Sequence, residues 1–96
     1  MNVDMDRVLV DFEGKPIKQS DKDMTLGLAC AGALGNPLDE DTKAGPEKAV
    51  ARWKLALRCY SGGVVELTPE EASEIRARLA KVYTTIICGQ AASMLE

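Results

Sequence analysis

The sequence predicts a mainly helical α+β protein: an N-terminal β-hairpin followed by about four short helices, with one short strand before the third helix. Apolar residues recur at helical spacing after residue 24, Gly and Pro separate those segments, and a short apolar run with a turn precedes them. With 96 residues the chain has room for one domain, comprising the hairpin at about 6–19 and the helical part at about 24–95. Because 46% of the residues are hydrophobic, the chain can build a folded core.

The N-terminal segment predicts the hairpin. Residues 7–12 are mostly apolar and predict a strand, while Gly14 and Pro16 mark a turn from which residues 17–19 can return as a second strand. Pro16 cannot donate a ladder hydrogen bond, so the second strand is expected to begin at an edge. The polar residues 20–23 then offer N-cap candidates for the first helix.

The first two helices are predicted from apolar periodicity. The predicted buried face of the first helix consists of Leu26, Ala29, Cys30, Ala33 and Leu34. This helix ends at residues 35–37, and an acidic linker follows from residue 38 to residue 45. Pro46 is favourable at the start of the second helix, which ends at residues 61–63. The apolar stripe of the second helix, which we expect to face the core, consists of Ala49, Val50, Trp53, Ala56, Leu57 and Tyr60.

A capping box predicts the start of the third helix. After the short β-type run of residues 64–67, Thr68 can serve as the N-cap, with Pro69 at N1 and Glu71 at N3. The predicted buried stripe of this helix comprises Ala72, Ile75, Leu79, Val82 and Tyr83. A last, weaker helix follows, with its apolar residues at Ile87, Ala91, Met94 and Leu95.

The residue inventory argues against catalysis and against bound metals or cofactors. The chain has no histidine, which removes the usual general base, the Ser-His-Asp triad and most zinc sites. The aspartates at 21–23 and at 39–41 lack the glycine and the final carboxylate of a calcium loop, and the glycines at 27–35 fit no phosphate-binding fingerprint. We therefore expect no enzyme activity, no catalytic residues, no cofactor and no metal site.

The cysteines and the N-terminal residues predict a cytoplasmic protein. Cys30, Cys59 and Cys88 are an odd set without clustering, which is typical of a reducing compartment and of buried, inert thiols. Residues 1–7 lack the basic and apolar regions of a secretory signal. The longest mostly apolar run, residues 24–35, is too short to span a bilayer.

Basic residues concentrate on the second and third helices, although the chain as a whole is acidic, with 12 Lys+Arg against 15 Asp+Glu. The candidate partner-binding residues in this region are Lys48, Arg52, Lys54, Leu55, Arg58, Arg76 and Arg78. Two interpretations remain open: a solvated helix face, and a surface that binds nucleic acid or an acidic protein. The net charge of −3 and the lack of exposed aromatic residues expected on that face disfavour nucleic acid.

Several motifs occur in a recognisable order. They lie at residues 11–17, at Thr25-Leu26, at residues 52–56, at residues 65–71 and at Gly89-Gln90. This order, which covers the chain from about residue 6 to the end, resembles small uncharacterised proteins of tailed phages and prophages. The resemblance implies a bacterial cytoplasm and no known activity or catalytic residues.

The favoured hypothesis is a non-catalytic phage- or prophage-type protein that acts through protein–protein interaction, in assembly or in modulation of a host system. Its partner would be a phage or host protein, with no membrane involved. The alternative is a nucleic-acid-binding regulator that uses the basic helix face. The thin core also favours self-association as a homodimer, because a shared apolar face would add stability. The candidate self-association residues are Ile87, Met94 and Leu95, together with the exposed side of the strand at residues 8–10.

Overall fold

The computed structural model of the protein describes residues 1–36 and 45–96. Its elements, in chain order, are β1 (Asn2–Asp4), β2 (Lys18–Gln19), β3 (Lys22–Asp23), α1 (Leu26–Gly35), α2 (Pro46–Tyr60), β4 (Val64–Glu66), α3 (Pro69–Val82) and α4 (Thr85–Met94). This architecture confirms the predicted class, with an antiparallel hairpin near the N-terminus and a short strand directly before the third helix. The predicted acidic linker lies outside the described residues, apart from Gly45. Among the described helices, none combines the length and the apolar composition that crossing a bilayer requires.

Helix α1 forms the centre of the helical part, where it contacts α2, α3 and α4. The residues of its predicted buried face are at most 4% exposed, which confirms the periodicity: Leu26, Ala29, Cys30, Ala33 and Leu34. The helix has Thr25 as its N-cap, whose hydroxyl accepts a hydrogen bond from the Leu28 N–H at 3.2 Å. The prediction of an N-cap within residues 20–23 is therefore wrong, because those residues belong to the hairpin.

Two glycines of α1 allow neighbouring groups to approach its backbone closely. A Cβ atom at Gly27 would overlap the carbonyl oxygen of Cys59 in α2, and one at Gly32 would overlap the hydroxyl of Tyr83. A residue with a side chain at either position would have to displace these groups. The packing of α2 on α1 therefore depends on a close approach of the two backbones.

The hairpin is present, but its strands lie further along the chain than predicted. Strands β2 and β3 pair in antiparallel register, with Lys18 opposite Asp23. The turn between them contains Ser20 and Asp21, which both have positive φ, as the central residues of a type I′ turn do. Asp can adopt this conformation with less strain than most residues, which suits it to this turn.

Residues 7–12 do not form the continuous strand that the sequence predicts. Val10 makes an isolated bridge with Pro16, whereas Val8 makes one with Thr25. The segment therefore pairs with two different parts of the chain in succession, and no regular ladder develops.

The Asp11 side chain explains why pairing ends so early in this segment. Its carboxylate accepts hydrogen bonds from the backbone N–H groups of Glu13 at 2.9 Å and Lys15 at 3.0 Å. Such a local turn competes with strand pairing for the same backbone groups. The segment is nevertheless anchored in the core, because Leu9 is fully buried and its N–H donates to the Met24 carbonyl at 2.8 Å.

A second two-stranded sheet, which the sequence analysis does not predict, joins the N-terminal residues to the connection between α2 and α3. Strand β1 pairs antiparallel with β4, with Val3 opposite Val65. The β-type run predicted before the third helix is thus confirmed as β4. The Leu67 N–H extends the pairing by donating to the Met1 carbonyl at 2.8 Å. Because β1 has only three residues, two of which are polar, its strand conformation depends on the partner that β4 provides.

The capping box predicted for α3 is confirmed. The Glu71 N–H donates to the Thr68 hydroxyl at 3.1 Å, and the Thr68 N–H donates to the Glu71 carboxylate at 2.9 Å. Pro69 occupies the first turn, as predicted. Of the predicted stripe, Ala72, Ile75 and Leu79 are buried, and the remaining two residues, at 82 and 83, are half-buried.

Helix α4 closes the helical part against α3 and α1 and is bonded to the N-terminal loop. The side-chain amide of Gln90 donates to the Val10 carbonyl and accepts a hydrogen bond from the Val10 N–H at 3.0 Å. A side chain thereby satisfies the Val10 N–H and carbonyl, which point away from the bridge to Pro16. The core beneath these elements is aliphatic, and its fully buried large residues are Met5, Leu9, Leu26, Leu67, Ile75, Leu79 and Leu95.

The substitution Gly27→Ala should lower the free energy of unfolding by about 1–3 kcal/mol, because the added methyl group would overlap the Cys59 carbonyl oxygen. Gly89→Ala is the matched control, since Gly89 lies inside α4 with open space around it. There the same change should raise the free energy of unfolding by ~0.5–1 kcal/mol. Urea denaturation followed by circular dichroism measures both values. Effects of the same sign would contradict the close approach of α1 and α2.

The substitution Thr68→Ala should lower the free energy of unfolding by about 1 kcal/mol, because it removes the hydroxyl that accepts the Glu71 N–H. Thr84 occupies the N-cap position of α4 but makes no side-chain capping hydrogen bond. Thr84→Ala should therefore change the stability by less than ~0.5 kcal/mol. Equal losses for the two variants in urea titrations would show that the Thr68 hydroxyl is not the source of the stabilisation.

Candidate functional site

Helix α2 packs against α1 through a narrow face and leaves its largest apolar side chains exposed. Its buried residues are Leu55, which is 5% exposed, and Cys59, which is fully buried, with Arg52 and Ala56 half-buried beside them. The prediction that the apolar stripe of this helix faces the core is therefore wrong. Of the stripe residues, only Ala56 is even half-buried.

Four large apolar residues form the exposed face, which we call the α2 stripe: Val50, Trp53, Leu57 and Tyr60. Their exposed fractions are 49%, 61%, 45% and 64%, respectively. Residues three and four apart are neighbours on a helix surface, so these side chains lie in one continuous row. A contiguous exposed apolar patch marks an interaction site far more often than a single exposed apolar residue does.

The small-residue surface of α1 explains why α2 presents its narrow face inward. At Gly27 the α1 backbone lies against the carbonyl oxygen of Cys59, which leaves little room between the two helices. Leu55 and Cys59 fit this gap, whereas the indole of Trp53 would force the helices apart. The two aromatic rings of α2, Trp53 and Tyr60, are consequently directed away from α1.

Arg58 holds α2 in the same rotation from the side of α3. Its guanidinium donates to the Glu71 carboxylate at 3.0 Å and also to the backbone carbonyl of Glu66. A fork of N–H donors bonded to two acceptors restricts rotation of the helix more than a single contact does. This arrangement directs a basic residue of α2 toward the start of α3 rather than toward solvent alone.

The basic surface predicted from the sequence is divided rather than assembled. Lys48 and Arg52 line an open cleft of about 390 Å³ between α2 and α3, where Glu71 and Glu74 also lie. Lys54 is exposed at an edge of the α2 stripe. Acidic side chains of α3 therefore share the cleft with three of the predicted partner-binding residues, Lys48, Arg52 and Leu55.

The other predicted partner-binding residues are used within the chain. Arg76 donates to the Leu95 carbonyl at 2.7 Å. Arg78 is only 5% exposed, and its Nε lies 3.5 Å from the Glu74 carboxylate. Leu55 is part of the core. Leu55 and Arg78 are both buried by packing between the helices, so little of either side chain is available to a partner.

The residues predicted for self-association at the end of the chain do not form an exposed face. Leu95 is fully buried, while Ile87 and Met94 are half-buried and pack against the core. The prediction for Leu95 is therefore wrong. The apolar periodicity of α4 is weak, so the sequence does not show which of its apolar residues are buried. In the structure these residues pack against the core.

The cleft between α2 and α3 brings two carboxylates together, but each is paired with an arginine. The hydrogen bond from the Thr68 N–H lowers the pKa of the Glu71 carboxyl below its ordinary value, and Arg58 lowers it further. Glu74 is paired with Arg78. A general acid at neutral pH needs a raised pKa, so Glu71 is unsuited to that role. Within residues 1–36 and 45–96, no three His, Cys, Asp or Glu side chains are grouped to hold a metal ion.

Two of the cysteines meet in the core between α1 and α2. Cys30 and Cys59 are both fully buried, and their thiols are joined by a hydrogen bond. This hydrogen bond, together with burial, raises the pKa of the Cys30 thiol well above its ordinary value, so Cys30 stays protonated. Cys88 in α4 is only half-buried, which differs from the prediction that all three thiols are buried.

A second open cleft, of about 380 Å³, lies where the N-terminal loop meets α4. It is lined by Val10, Phe12 and Ile86 and by the polar side chain of Gln90. Phe12, which lies at the edge of this cleft, is 93% exposed. Gln90 already bonds the Val10 backbone, so the polar part of this cleft is occupied by contacts within the chain.

The periodicity of α2 identifies its apolar stripe correctly, but the stripe does not face the core. A second signal was available on the opposite side of the helix, where Leu55 and Cys59 are four residues apart. That pair is the smaller of the two apolar faces, and it matches the small residues of α1. A comparison of the side chains on each apolar face of α2 with the small residues of α1 could have indicated which face is buried.

Comparisons with protein-family models, with curated proteins and with solved structures gave no match for this chain.

In the folded protein, Cys88 should react with a chromogenic disulfide reagent much faster than the other two thiols, because only Cys88 is partly accessible. Spectrophotometry should record one fast thiol per chain in buffer and three after denaturation. Cys88→Ser should remove the fast phase. Rapid reaction of Cys30 or Cys59 in native buffer would contradict their burial between α1 and α2.

Proposed function

We propose that this chain is a non-catalytic protein that acts by binding another protein, and that the α2 stripe is its contact surface. The single observation that carries the proposal is the exposure of four large apolar side chains in one row on α2. Covering such a row removes apolar surface from water, which is favourable by about 25 cal/mol per Å². A partner with a matching apolar face would therefore bind here.

The composition of the α2 stripe supports this role. Trp53 and Tyr60 belong to the residue types that contribute most of the binding energy at the centres of protein interfaces. Their rings offer a large contact area with few rotatable bonds, so little conformational entropy is lost on binding. Glu47 and Lys54 are exposed beside the row and would form part of a polar rim.

The alternative, a nucleic-acid-binding regulator, has less support. Binding to phosphates requires available cations, whereas Arg58, Arg76 and Arg78 are each bonded to a group of their own chain. Stacking of bases on Trp53 and Tyr60 would also need a positively charged groove, and the chain has a net charge of −3. We expect no mobility shift of DNA or RNA even at low ionic strength.

The setting that we propose follows from the sequence resemblance to small proteins of tailed phages and prophages. The chain would act in the bacterial cytoplasm, and its partner would be a phage or host protein in assembly or in modulation of a host system. The paired carboxylates of the cleft between α2 and α3 add no support for an enzymatic role, because arginines neutralise them.

Capture from a bacterial lysate tests the contact surface. Immobilised wild-type chain should retain at least one protein, and Leu57→Glu should reduce that retention by about tenfold or more, because it places a charge in the centre of the apolar row. Quantitative mass spectrometry of the retained proteins provides the readout.

Phe12→Ser is the matched control for this experiment. Phe12 is more exposed than any residue of the α2 stripe, but it lies on the N-terminal loop. Its replacement therefore removes exposed apolar surface without changing α2, and retention should be unchanged. Equal retention by wild type and Leu57→Glu, or an equal loss with Phe12→Ser, would refute the α2 stripe as the contact surface.

A further inference from the structure

We infer that a second copy of this chain covers the α2 stripe, by antiparallel pairing of the two α2 helices about a two-fold axis. The inference rests on the proposed function, because it names the partner of the same surface. It is carried by the spacing of the exposed apolar residues along α2, by the charges at the edges of the row and by the area that the row offers.

The exposed apolar residues of α2 follow the seam pattern of a coiled coil over the whole helix. Apart from the alanines, they are Pro46, Val50, Trp53, Leu57 and Tyr60, with successive steps of four, three, four and three residues. Two helices whose apolar residues alternate in this way can interlock side chains along a common seam. A surface exposed for another reason, such as a cofactor cleft, has no need of this alternation.

The two edges of the row differ in chemistry. Glu47 and Lys54 lie on one edge, each directly after a seam residue, and both are exposed. Ala49 and Ala56 lie on the other edge, each directly before a seam residue. The alanines permit close approach of a second helix, and the charged residues can set its direction.

The charged edge selects the antiparallel orientation. In an antiparallel pair, each edge faces the same edge of the other helix, so Glu47 would face Lys54 of the partner subunit, and the two-fold axis would repeat this pair. In a parallel pair, the charged edge would face the alanine edge, and both charges would have no counterpart. Exposed ion pairs add little affinity, but they discriminate between orientations.

This pairing also determines which apolar residues meet. With Glu47 beside Lys54 of the partner subunit, Val50 lies next to Trp53 of the partner subunit, and Leu57 lies next to Pro46 of the partner subunit. Each contact thus joins a large side chain to a smaller one. Such alternation allows side chains to fill the seam without forcing the helices apart.

The area on offer matches a reversible dimer. The exposed parts of the four α2 stripe residues amount to roughly 450 Å² per copy, so two copies would bury at most about 900 Å², which is in the range of weak, reversible interfaces. We therefore expect dissociation on dilution into the low micromolar range. An exposed apolar row of this size also fits a chain whose core has few large residues, since association would add to its stability.

Multi-angle light scattering after size exclusion tests the inference. At about 100 μM the wild-type chain should have twice the mass of the 10.3 kDa monomer, and at about 1 μM it should approach the monomer mass. Leu57→Glu should remain monomeric at both concentrations, whereas Phe12→Ser should dimerise like wild type. Circular dichroism should confirm that both variants are folded, since both positions are at least 45% exposed.

Charge reversal tests the orientation independently of the apolar row. Glu47→Lys or Lys54→Glu alone should weaken the dimer by about threefold to tenfold, because each puts like charges opposite one another, and the double reversal should restore the wild-type dissociation constant. A double reversal that does not restore affinity would overturn the antiparallel arrangement.

The outcomes separate this inference from the proposed function. A strict monomer at about 100 μM, or a dimer that Leu57→Glu leaves intact, would overturn pairing through α2. The proposed function would then be tested separately, by comparing the proteins that the Leu57→Glu and Phe12→Ser variants retain from the lysate. Dimerisation without capture of any other protein would instead support the self-association and limit the function to it.

Discussion

The backbones of α1 and α2 approach each other closely where Gly27 lies against the carbonyl oxygen of Cys59, and this contact determines the orientation of α2. Because so narrow a gap has no room for an aromatic ring, α2 turns Leu55 and Cys59 inward and its two rings, Trp53 and Tyr60, outward. The cysteine pair, the orientation of the basic residues and the exposed row on α2 all follow from this contact. A wider spacing between the two helices would allow an indole into the core and would remove the exposed surface.

Electrostatic contacts at the start of α3 reinforce the same orientation. The carboxylate of Glu71 caps its own helix through the Thr68 N–H and also accepts the guanidinium of Arg58 from α2. One side chain thus couples the helix start to the rotation of a neighbouring helix. Arg58 additionally bonds the carbonyl of Glu66, the last residue of β4, which links α2 to the sheet formed with the N-terminal residues. Arg58, Arg76 and Arg78, which were expected to form a basic surface, are instead bonded to groups of their own chain.

The distribution of aromatic residues connects the fold to its proposed role. Of the four aromatic residues, Phe12, Trp53 and Tyr60 are exposed, and only Tyr83 is half-buried. The core is therefore built from aliphatic side chains, and the rings that would bury the most area per residue remain available on the surface. A small domain of this kind has a limited core, so covering the α2 stripe would add both affinity for a partner and stability to the chain. Binding of a partner to the α2 stripe would thus also raise the free energy of unfolding of the chain.

Local sequence patterns predict the mainly helical class, the buried face of α1 and the capping box of α3, because these depend on residues close together in the chain. The periodicity of α2 also showed which residues share a face. The choice of the buried face of α2 depends instead on long-range packing, since the glycine surface of α1 admits Leu55 and Cys59 but not the rings of Trp53 and Tyr60. Long-range pairing likewise made β1 a strand, and the local turn at Asp11 moved the hairpin to residues 18–23. Periodicity reports the side of a helix on which a residue lies, whereas the shape of the neighbouring element decides whether that side is covered.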